Sequence, residues 1–215
     1  MRVLTWNLFH GRAVPPAGRD LLGEFAAALA GWDWDVALLQ EVPPWWPPRL
    51  PAADHDLVLT SRNALLPVRR WLAERWPDVL KSQGGGANAI LVRDGAIAAR
   101  AQVRLRCLPE RRMAHGVRVA GTWFVNLHGS AHVPARAEAD LRLAAAGALR
   151  WAGDGPLVLG GDVNLRAPRL DGFAYAGGHS VDHLFARGLE PQGLERLDRG
   201  TLSDHVPLVA TFSAP

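Results

Sequence analysis

The sequence predicts a mixed, largely antiparallel α/β sandwich. Apolar runs of strand length outnumber helical patterns, hairpin signals mix with longer crossovers, and the chain closes on a strand from about Val206 to Phe212. A length of 215 residues allows one sizeable core and is short for two full domains plus a linker. No repeat, tail or low-complexity stretch marks a boundary, so a single domain over residues 1–215 is expected.

The elements follow in order. Arg2 to Leu8 reads as an opening strand, and a Gly/Pro loop leads to a helix beginning near Asp20, a side chain suited to the N-cap. Leu21, Phe25, Ala28 and Leu29 then recur at helical spacing and form one buried face. Val36-Ala37-Leu38-Leu39 is a continuous apolar run, as in a strand covered on both sides. The prolines from Pro43 to Pro48 force a loop, whose Trp45 and Trp46 either stack on a ligand or plug the loop onto the body.

Ala89–Val92, Ala98–Leu105, Val117–Asn126 and Leu157–Leu159 read as further strands, with Asp94-Gly95 a turn between the first two. Between the last two lies a helix. Pro134 suits its first turn, Leu141, Ala144, Ala145, Ala148 and Leu149 form its buried stripe, and Glu138 and Arg142 are an i, i+4 ion pair.

Composition excludes several classes. With 48% hydrophobic and 21% charged residues the chain is neither disordered nor collagen-like nor a coiled coil. No run approaches the roughly 18–20 apolar residues of a membrane-spanning helix. Cys107 is the only cysteine, which removes an intrachain disulfide framework and a cysteine zinc site. The first residues lack the apolar core of a secretory signal, so a cytoplasmic location is expected. The formal charge of +3 is carried almost wholly by arginine, Lys81 being the only lysine. Arg100, Arg104, Arg106, Arg111, Arg112 and Arg118 either line a phosphate-bearing ligand or form a solvated face.

Function is written where polar residues end apolar runs: Trp6-Asn7, Leu39-Gln40-Glu41, Val125-Asn126-Leu127-His128 and Leu159-Gly160-Gly161-Asp162-Val163-Asn164, with Ser203-Asp204-His205 before the last run. Strand alternation puts Asn126 and His128 on one face, and Asp162 and Asn164 on one face if the extended backbone persists that far. Carboxylates, imidazoles and neutral amides gathered at one edge suit hydrolysis of a phosphate ester. Mg²⁺ or Mn²⁺ held by hard oxygen ligands stabilises the charge that grows on the phosphoryl group, and Glu41 is the best ligand candidate. Asn7 and Asn164 suit a phosphoryl or water oxygen, and Asp162 suits a water that must be oriented or deprotonated. Gly84-Gly85-Gly86 lacks the ending of a nucleotide-binding loop and reads as a hairpin or loop beside the site. His132, four residues from His128 without a helix, reads as incidental, and zinc is not expected.

From Val3 to Phe212 the chain resembles the endonuclease/exonuclease/phosphatase superfamily, which includes pancreatic-type deoxyribonucleases, exonuclease III-like repair nucleases, bacterial sphingomyelinases and inositol polyphosphate phosphatases. The carriers, in the family's order, are Thr5-Trp6-Asn7, Ala37-Leu38-Leu39-Gln40-Glu41-Val42, Asn88-Ala89-Ile90-Leu91, Asn126-Leu127-His128, Gly161-Asp162-Val163-Asn164, Val181-Asp182-His183-Leu184-Phe185 and Ser203-Asp204-His205-Val206-Pro207-Leu208. The resemblance implies a four-layer α/β sandwich, two packed, mostly antiparallel mixed sheets flanked by helices.

It also implies roles. Glu41 matches the metal-binding glutamate, with Asn7 and Asp204 close to the same ion. Asp162 matches the aspartate that aligns or activates water, with Asn164 beside it on the phosphate. His205 matches the terminal catalytic histidine, oriented by Asp182, and His128 matches a second histidine on the phosphate or leaving group. Asn126, in the same motif as His128, is a candidate substrate contact. Val163 replaces the family's usual phenylalanine. The repair nucleases' catalytic tyrosine falls where this chain has His128, and the sole tyrosine, Tyr175, sits in the glycine-rich stretch Gly172 to Gly178, which weakens an abasic-site repair role.

The expected activity is therefore divalent-metal-dependent phosphoester hydrolysis, by a phosphodiesterase or endonuclease. A phosphomonoesterase or lipid phosphodiesterase on the same scaffold, or a non-catalytic phosphate-binding domain, are the alternatives. The expected partner is a phosphate-ester substrate, nucleic acid among the candidates, and no protein partner is marked by the sequence.

Overall fold

The structure is a computed structural model and describes residues 1–60, 66–79 and 86–214. Its strands are β1 (Arg2–Asn7), β2 (Val36–Val42), β3 (Asp54–Leu59), β4 (Ala87–Val92), β5 (Ala99–Arg106), β6 (Arg112–Val119), β7 (Thr122–His128), β8 (Leu157–Asp162), β9 (Ala174–His179), β10 (Asp182–Arg187), β11 (Glu190–Arg196) and β12 (Leu208–Ser213). The helices are α1 (Leu22–Gly31), α2 (Leu66–Arg75) and α3 (Pro134–Ala152). They form two six-stranded sheets, ordered β11-β12-β1-β2-β4-β3 and β5-β6-β7-β8-β10-β9.

Each sheet carries one parallel pair at its centre. β1 and β2 are joined through α1, and β7 and β8 through α3, because a parallel pair needs a crossover long enough to return the chain. All other neighbouring pairs are antiparallel. The mixed, mostly antiparallel sandwich expected from the sequence is the observed fold.

Alternation along the strands divides the apolar residues among three cores. Val3, Val36, Leu38, Phe124, Val158, Leu184 and Ala186 meet between the sheets. Leu4, Trp6, Ala37 and Leu39 point the other way and are covered by Leu22, Phe25 and Leu29 of α1. Val125, Leu127, Leu157 and Leu159 are covered by Leu141, Ala144 and Ala148 of α3. The central strands are thus buried on both faces, which is why they read as unbroken apolar runs.

Several expectations change. The run Val117–Asn126 is not one strand: Ala120 and Gly121, at φ of 46° and 85°, turn β6 into β7. Two successive positive φ values make the tight turn whose twist matches a hairpin, and only Gly121 signals it in the sequence. The first helix starts at Leu22 with Leu21 at its N-cap, while Asp20 accepts the Leu22 amide. The glycine-rich stretch around Tyr175 is strand β9, and β3 and β11 carry too many charges to show an apolar signature. Trp46 resolves the loop question: it is buried, with its ring centroid 5.3 Å from that of Phe25, so it plugs the loop onto α1. Among the described residues no helix is long and apolar enough to cross a membrane.

Candidate active site

Both central parallel pairs end toward the same edge of the sandwich. On the inward parity set by Val3, Phe124, Val158 and Leu184 lie Asn7, His128, Asp162 and Asp182. His128, Asp162 and Asp182 are also cross-strand partners on β7, β8 and β10, so register alone sets them in one row. The row needs Gly161, whose φ is +134° and whose Cβ, if present, would sit 2.1 Å from the Leu127 carbonyl oxygen. An imidazole and two carboxylates are buried together at the row's end.

His205 closes the row. Its Nδ1 lies 2.8 Å from Asp182 Oδ2 and its Nε2 3.9 Å from Asp162 Oδ2. The loop that carries it is pinned to the first strand: Ser203 Oγ donates to the Asn7 carbonyl at 2.6 Å, and Trp6 Nε1 donates to the His205 carbonyl at 3.1 Å. Burial opposes the charged ring, but the hydrogen bond and charge of Asp182, helped by Asp162 and Asp204, outweigh it and raise the His205 pKa to about 9. At neutral pH this imidazole is a cation.

Asp162 sits at the centre. Its Oδ2 accepts Asn7 Nδ2 at 3.0 Å, and its Oδ1 accepts the Asn164 amide at 3.1 Å. Burial, then the charge of Asp182, raises its pKa to about 7. His128 Nε2 is 3.5 Å from the same Oδ2, and burial followed by the charge of Arg112 pushes the His128 pKa well down, so its ring is neutral. Asn164 reaches the cavity by a different route from strand alternation: its φ is +56°, and its Nδ2 donates to the Gly129 carbonyl at 3.1 Å. The extended backbone does not persist to position 164.

Glu41 is aimed by a distortion. On regular alternation it would face α1 with Ala37 and Leu39, but the pairing of β2 with β4 shifts register between Leu39 and Val42, and Glu41 takes φ +50°. Such a bulge re-aims a side chain at a local strain of about 1–3 kcal/mol. Its Oε2 lies 2.9 Å from Nε2 of His10, a buried residue also at positive φ. Gly86 supports the arrangement, since a Cβ there would lie 2.8 Å from Glu41 Cα. Gly84 and Gly85, expected beside the site, lie outside the described residues.

One cavity of about 420 Å³ is lined by Asn7, His10, Glu41, His128, Asp162, Asn164, Asp204 and His205, together with Phe9, Glu110, Arg112 and His132. Asp182 stands behind His205, and Asn126 lies beneath. Asn126 Nδ2 donates to the carbonyls of Leu39 and Ala89 at 2.8 and 2.9 Å, and its Oδ1 accepts Gln40 Nε2 at 2.7 Å, so its amide stitches the two sheets together under the site. Sequence reasoning missed His10, Glu110 and the placement of Arg112 here, and read His132, which lines the cavity, as incidental. The Phe9-His10-Gly11 run, which begins two residues past Asn7, was the available signal for His10.

A model described as the endonuclease/exonuclease/phosphatase family matches residues 4–205. The chain belongs to that family. Its fold is shared by solved structures of low identity. One, described as an endonuclease/exonuclease/phosphatase from Beutenbergia cavernae DSM 12333, is 18% identical with a TM-score of 0.69, over 100% of this chain and 71% of that one. A humanised TDP2 from D. rerio is 14% identical with a TM-score of 0.72, over 100% of this chain and 99% of that one. A mannosyl-6-phosphatase from Bacteroides thetaiotaomicron VPI-5482 is 14% identical with a TM-score of 0.69, over 99% of each chain. No curated protein matches the chain. Members of this family are phosphoester hydrolases and generally depend on a divalent metal.

The residues present fit such an ion. Glu41, Asp204 and the Asn7 amide supply only hard oxygen donors to one cavity, without a cysteine, which suits Mg²⁺ or Mn²⁺ over softer metals. Asp162, Asp182 and His205 also offer ligand atoms, all within 4.8 Å of one another. The Nδ1 of that histidine is already engaged by Asp182, which leaves the trio better matched to proton chemistry.

Proposed function

We propose that this family member is a divalent-metal-dependent phosphodiesterase or endonuclease that hydrolyses a phosphodiester by attack of water. One observation carries the reading: His205, held by Asp182, and the buried carboxylate Asp162 face the same cavity as Glu41, so acid, base and a hard-cation ligand share one reacting volume. A non-catalytic phosphate-binding domain could use a cationic His205, but the buried carboxylate of Asp162 in the same cavity would repel its anion.

The roles follow from the environment of each group. Glu41, Asn7 and Asp204 would hold Mg²⁺ or Mn²⁺, which supplies Lewis-acid stabilisation of the phosphoryl charge. His10 fixes the Glu41 carboxylate. Asp162, oriented by Asn7 and the Asn164 amide, takes the proton of the attacking water as the new P–O bond forms, and the ester P–O bond breaks with its oxygen taking a proton from solvent to leave as the alcohol. Cationic His205 gives a charge-assisted hydrogen bond to a phosphoryl oxygen, while neutral His128 and the Asn164 side chain contact the same group. Asn126, through Gln40, keeps the sheets at the spacing the row requires.

The test is hydrolysis of bis-p-nitrophenyl phosphate, plasmid DNA, single-stranded DNA, RNA, sphingomyelin and inositol phosphates with Mg²⁺, Mn²⁺ or EDTA, beside His205→Ala. Cleavage of the diesters that EDTA abolishes and metal restores is expected. Turnover confined to phosphomonoesters or to sphingomyelin would assign the alternative activities, and no turnover with any substrate would remove the catalytic reading.

A further inference from the structure

A second, smaller cavity shares a wall with the reaction centre. Its volume is about 110 Å³, and Glu110, Arg112 and His132 line both spaces. The smaller space adds Arg106, Ser130 and Arg136, so three guanidinium groups surround it. Two of these, Arg106 and Arg112, belong to the arginine set of β5, β6 and their connection that the sequence left open between a phosphate-bearing ligand and a solvated face.

The three arginines are held differently. Arg106 is preorganised: its Nε donates to Ser130 Oγ at 3.0 Å and its Nη2 to the buried Asp140 at 3.2 Å, while Asp140 also accepts the Ser130 hydroxyl at 2.6 Å. Arg112 is only 5% exposed, with Nη2 donating to Glu110 at 2.5 Å and Nε buried without a partner among the described residues. Lost hydration at such an N–H is not replaced, and although the Nε atoms of Arg12 and Arg111 are likewise buried without an acceptor among the described residues, Arg112 is the one of the three that lines both cavities. Arg136, in the first turn of α3, is exposed and forms no ion pair among the described residues.

We infer that the smaller cavity is an anion subsite that takes a second phosphate of the substrate, carried on the ester arm next to the scissile phosphate. This rests on the phosphoesterase reading of the larger cavity. The orphaned Nε of Arg112 and the fork of Arg136 supply the donors, and arginine forks match tetrahedral phosphate oxygens in pairs. The same chemistry comes from two sources, the adjoining phosphate of a nucleic-acid strand or the terminal phosphate of a small diester.

The experiment uses two matched pairs of substrates. One is the p-nitrophenyl phosphodiester of thymidine 5′-phosphate with and without a 3′-phosphate. The other is the p-nitrophenyl phosphodiester of propane-1,3-diol with and without a phosphate on the far hydroxyl. The phosphorylated member is expected to show kcat/KM about tenfold higher, the size of one charge-assisted hydrogen bond. Arg136→Ala, at an exposed position, should bring that ratio close to one, and Arg118→Ala, on the exposed face of β6, should leave it unchanged. A preference in both pairs assigns the subsite to any phosphorylated diester, and a preference in the thymidine pair alone assigns it to nucleic acid. A ratio near one in the native protein, or one that survives both Arg136→Ala and Arg106→Gln, overturns the subsite. Calorimetric titration of metal-free protein with propane-1,3-diol bisphosphate against its monophosphate decides the same point without turnover: tighter binding of the bisphosphate, lost in Arg136→Ala, supports the subsite, and equal affinities overturn it. Absence of hydrolysis alone would sink the catalytic reading and leave that titration to judge the subsite.

Discussion

His205 Nδ1 lies 2.8 Å from Asp182 Oδ2, and a contact between residues 23 positions apart fixes the outward direction of the other ring nitrogen. With Asp182 ionised, the ring is held in one orientation and its charged form is favoured. Asp182→Asn keeps the shape and removes the charge. Turnover is expected to fall by about 10²–10³, the usual scale for loss of an acid–base or charge-stabilising partner, with circular dichroism and Tm close to the native protein. A folded variant with near-normal kcat would remove Asp182 from the mechanism.

The His10–Glu41 contact predicts an effect on metal requirement. With Nε2 of His10 2.9 Å from the carboxylate, removing the ring frees Glu41 to leave its cradled position. His10→Ala should raise the Mg²⁺ concentration for half-maximal activity about 10–100-fold, the range seen when an outer partner of a metal ligand is lost. The rise in Tm on adding Mg²⁺ should shrink in parallel. Unchanged values of both would show that Glu41 is held without His10.

Gly161→Ala tests the backbone under the row. The added methyl would meet the Leu127 carbonyl oxygen at 2.1 Å at a φ of +134°. Close overlap with backbone and a strained dihedral together should destabilise the fold by about 2–5 kcal/mol in urea unfolding. A loss under about 0.5 kcal/mol, the scatter of an ordinary surface change, would mean that the strands can separate there at little cost.

Asn126→Ala should act on stability as well. It strips donors from the buried Leu39 and Ala89 carbonyls, while Gln40 Nε2 loses one acceptor and keeps the Leu38 carbonyl at 3.0 Å. Leaving such groups unpaired costs about 1–3 kcal/mol each before relaxation, so a loss of about 3 kcal/mol by urea unfolding is expected. Unfolding at native denaturant concentrations with reduced kcat would place Asn126 on the substrate instead.

A pH effect is expected away from the reaction centre. Asp56 accepts buried His115 Nδ1 at 2.8 Å and pairs with Arg100 at 3.2 Å. Burial opposes its charge, but His115 and Arg100 together outweigh burial and hold its carboxyl below the usual range. A lowered folded-state pKa stabilises the fold above the unfolded value, about 3.9 for aspartate, and that stability is lost as pH falls through the lower folded value. The stability gap between the native protein and Asp56→Asn should be full at pH 6 and close progressively below about pH 4. A gap that stays constant down to pH 3 would show that the charge of Asp56 does not matter.

The sequence by itself determined the local half of this protein. Alternation along β1, β7 and β8 is a property of extended backbone, so the apolar residues that announce each strand also announce the face on which Asn7, His128 and Asp162 stand, whereas β10, which carries Asp182, was not read as a strand. The helices over Phe25 and Leu141 were legible for the same reason, as were the polar endings that mark the family. Strands rich in charge, β3 and β11, and the Ala120-Gly121 turn carried no comparable pattern.

Only the tertiary structure decided which endings meet. Docking two sheets face to face sets Gln40 against Asn126 and Asp56 against His115, and pinning the last loop to β1 through Ser203 brings His205 beside Asp162. The bulge that aims Glu41, the His10 that holds it and the Arg112 that shares a cavity with His128 depend on positive φ values and on contacts between distant segments. Periodicity reports which side a residue faces and carries no information about what stands opposite, because that is fixed by packing between segments far apart in the chain.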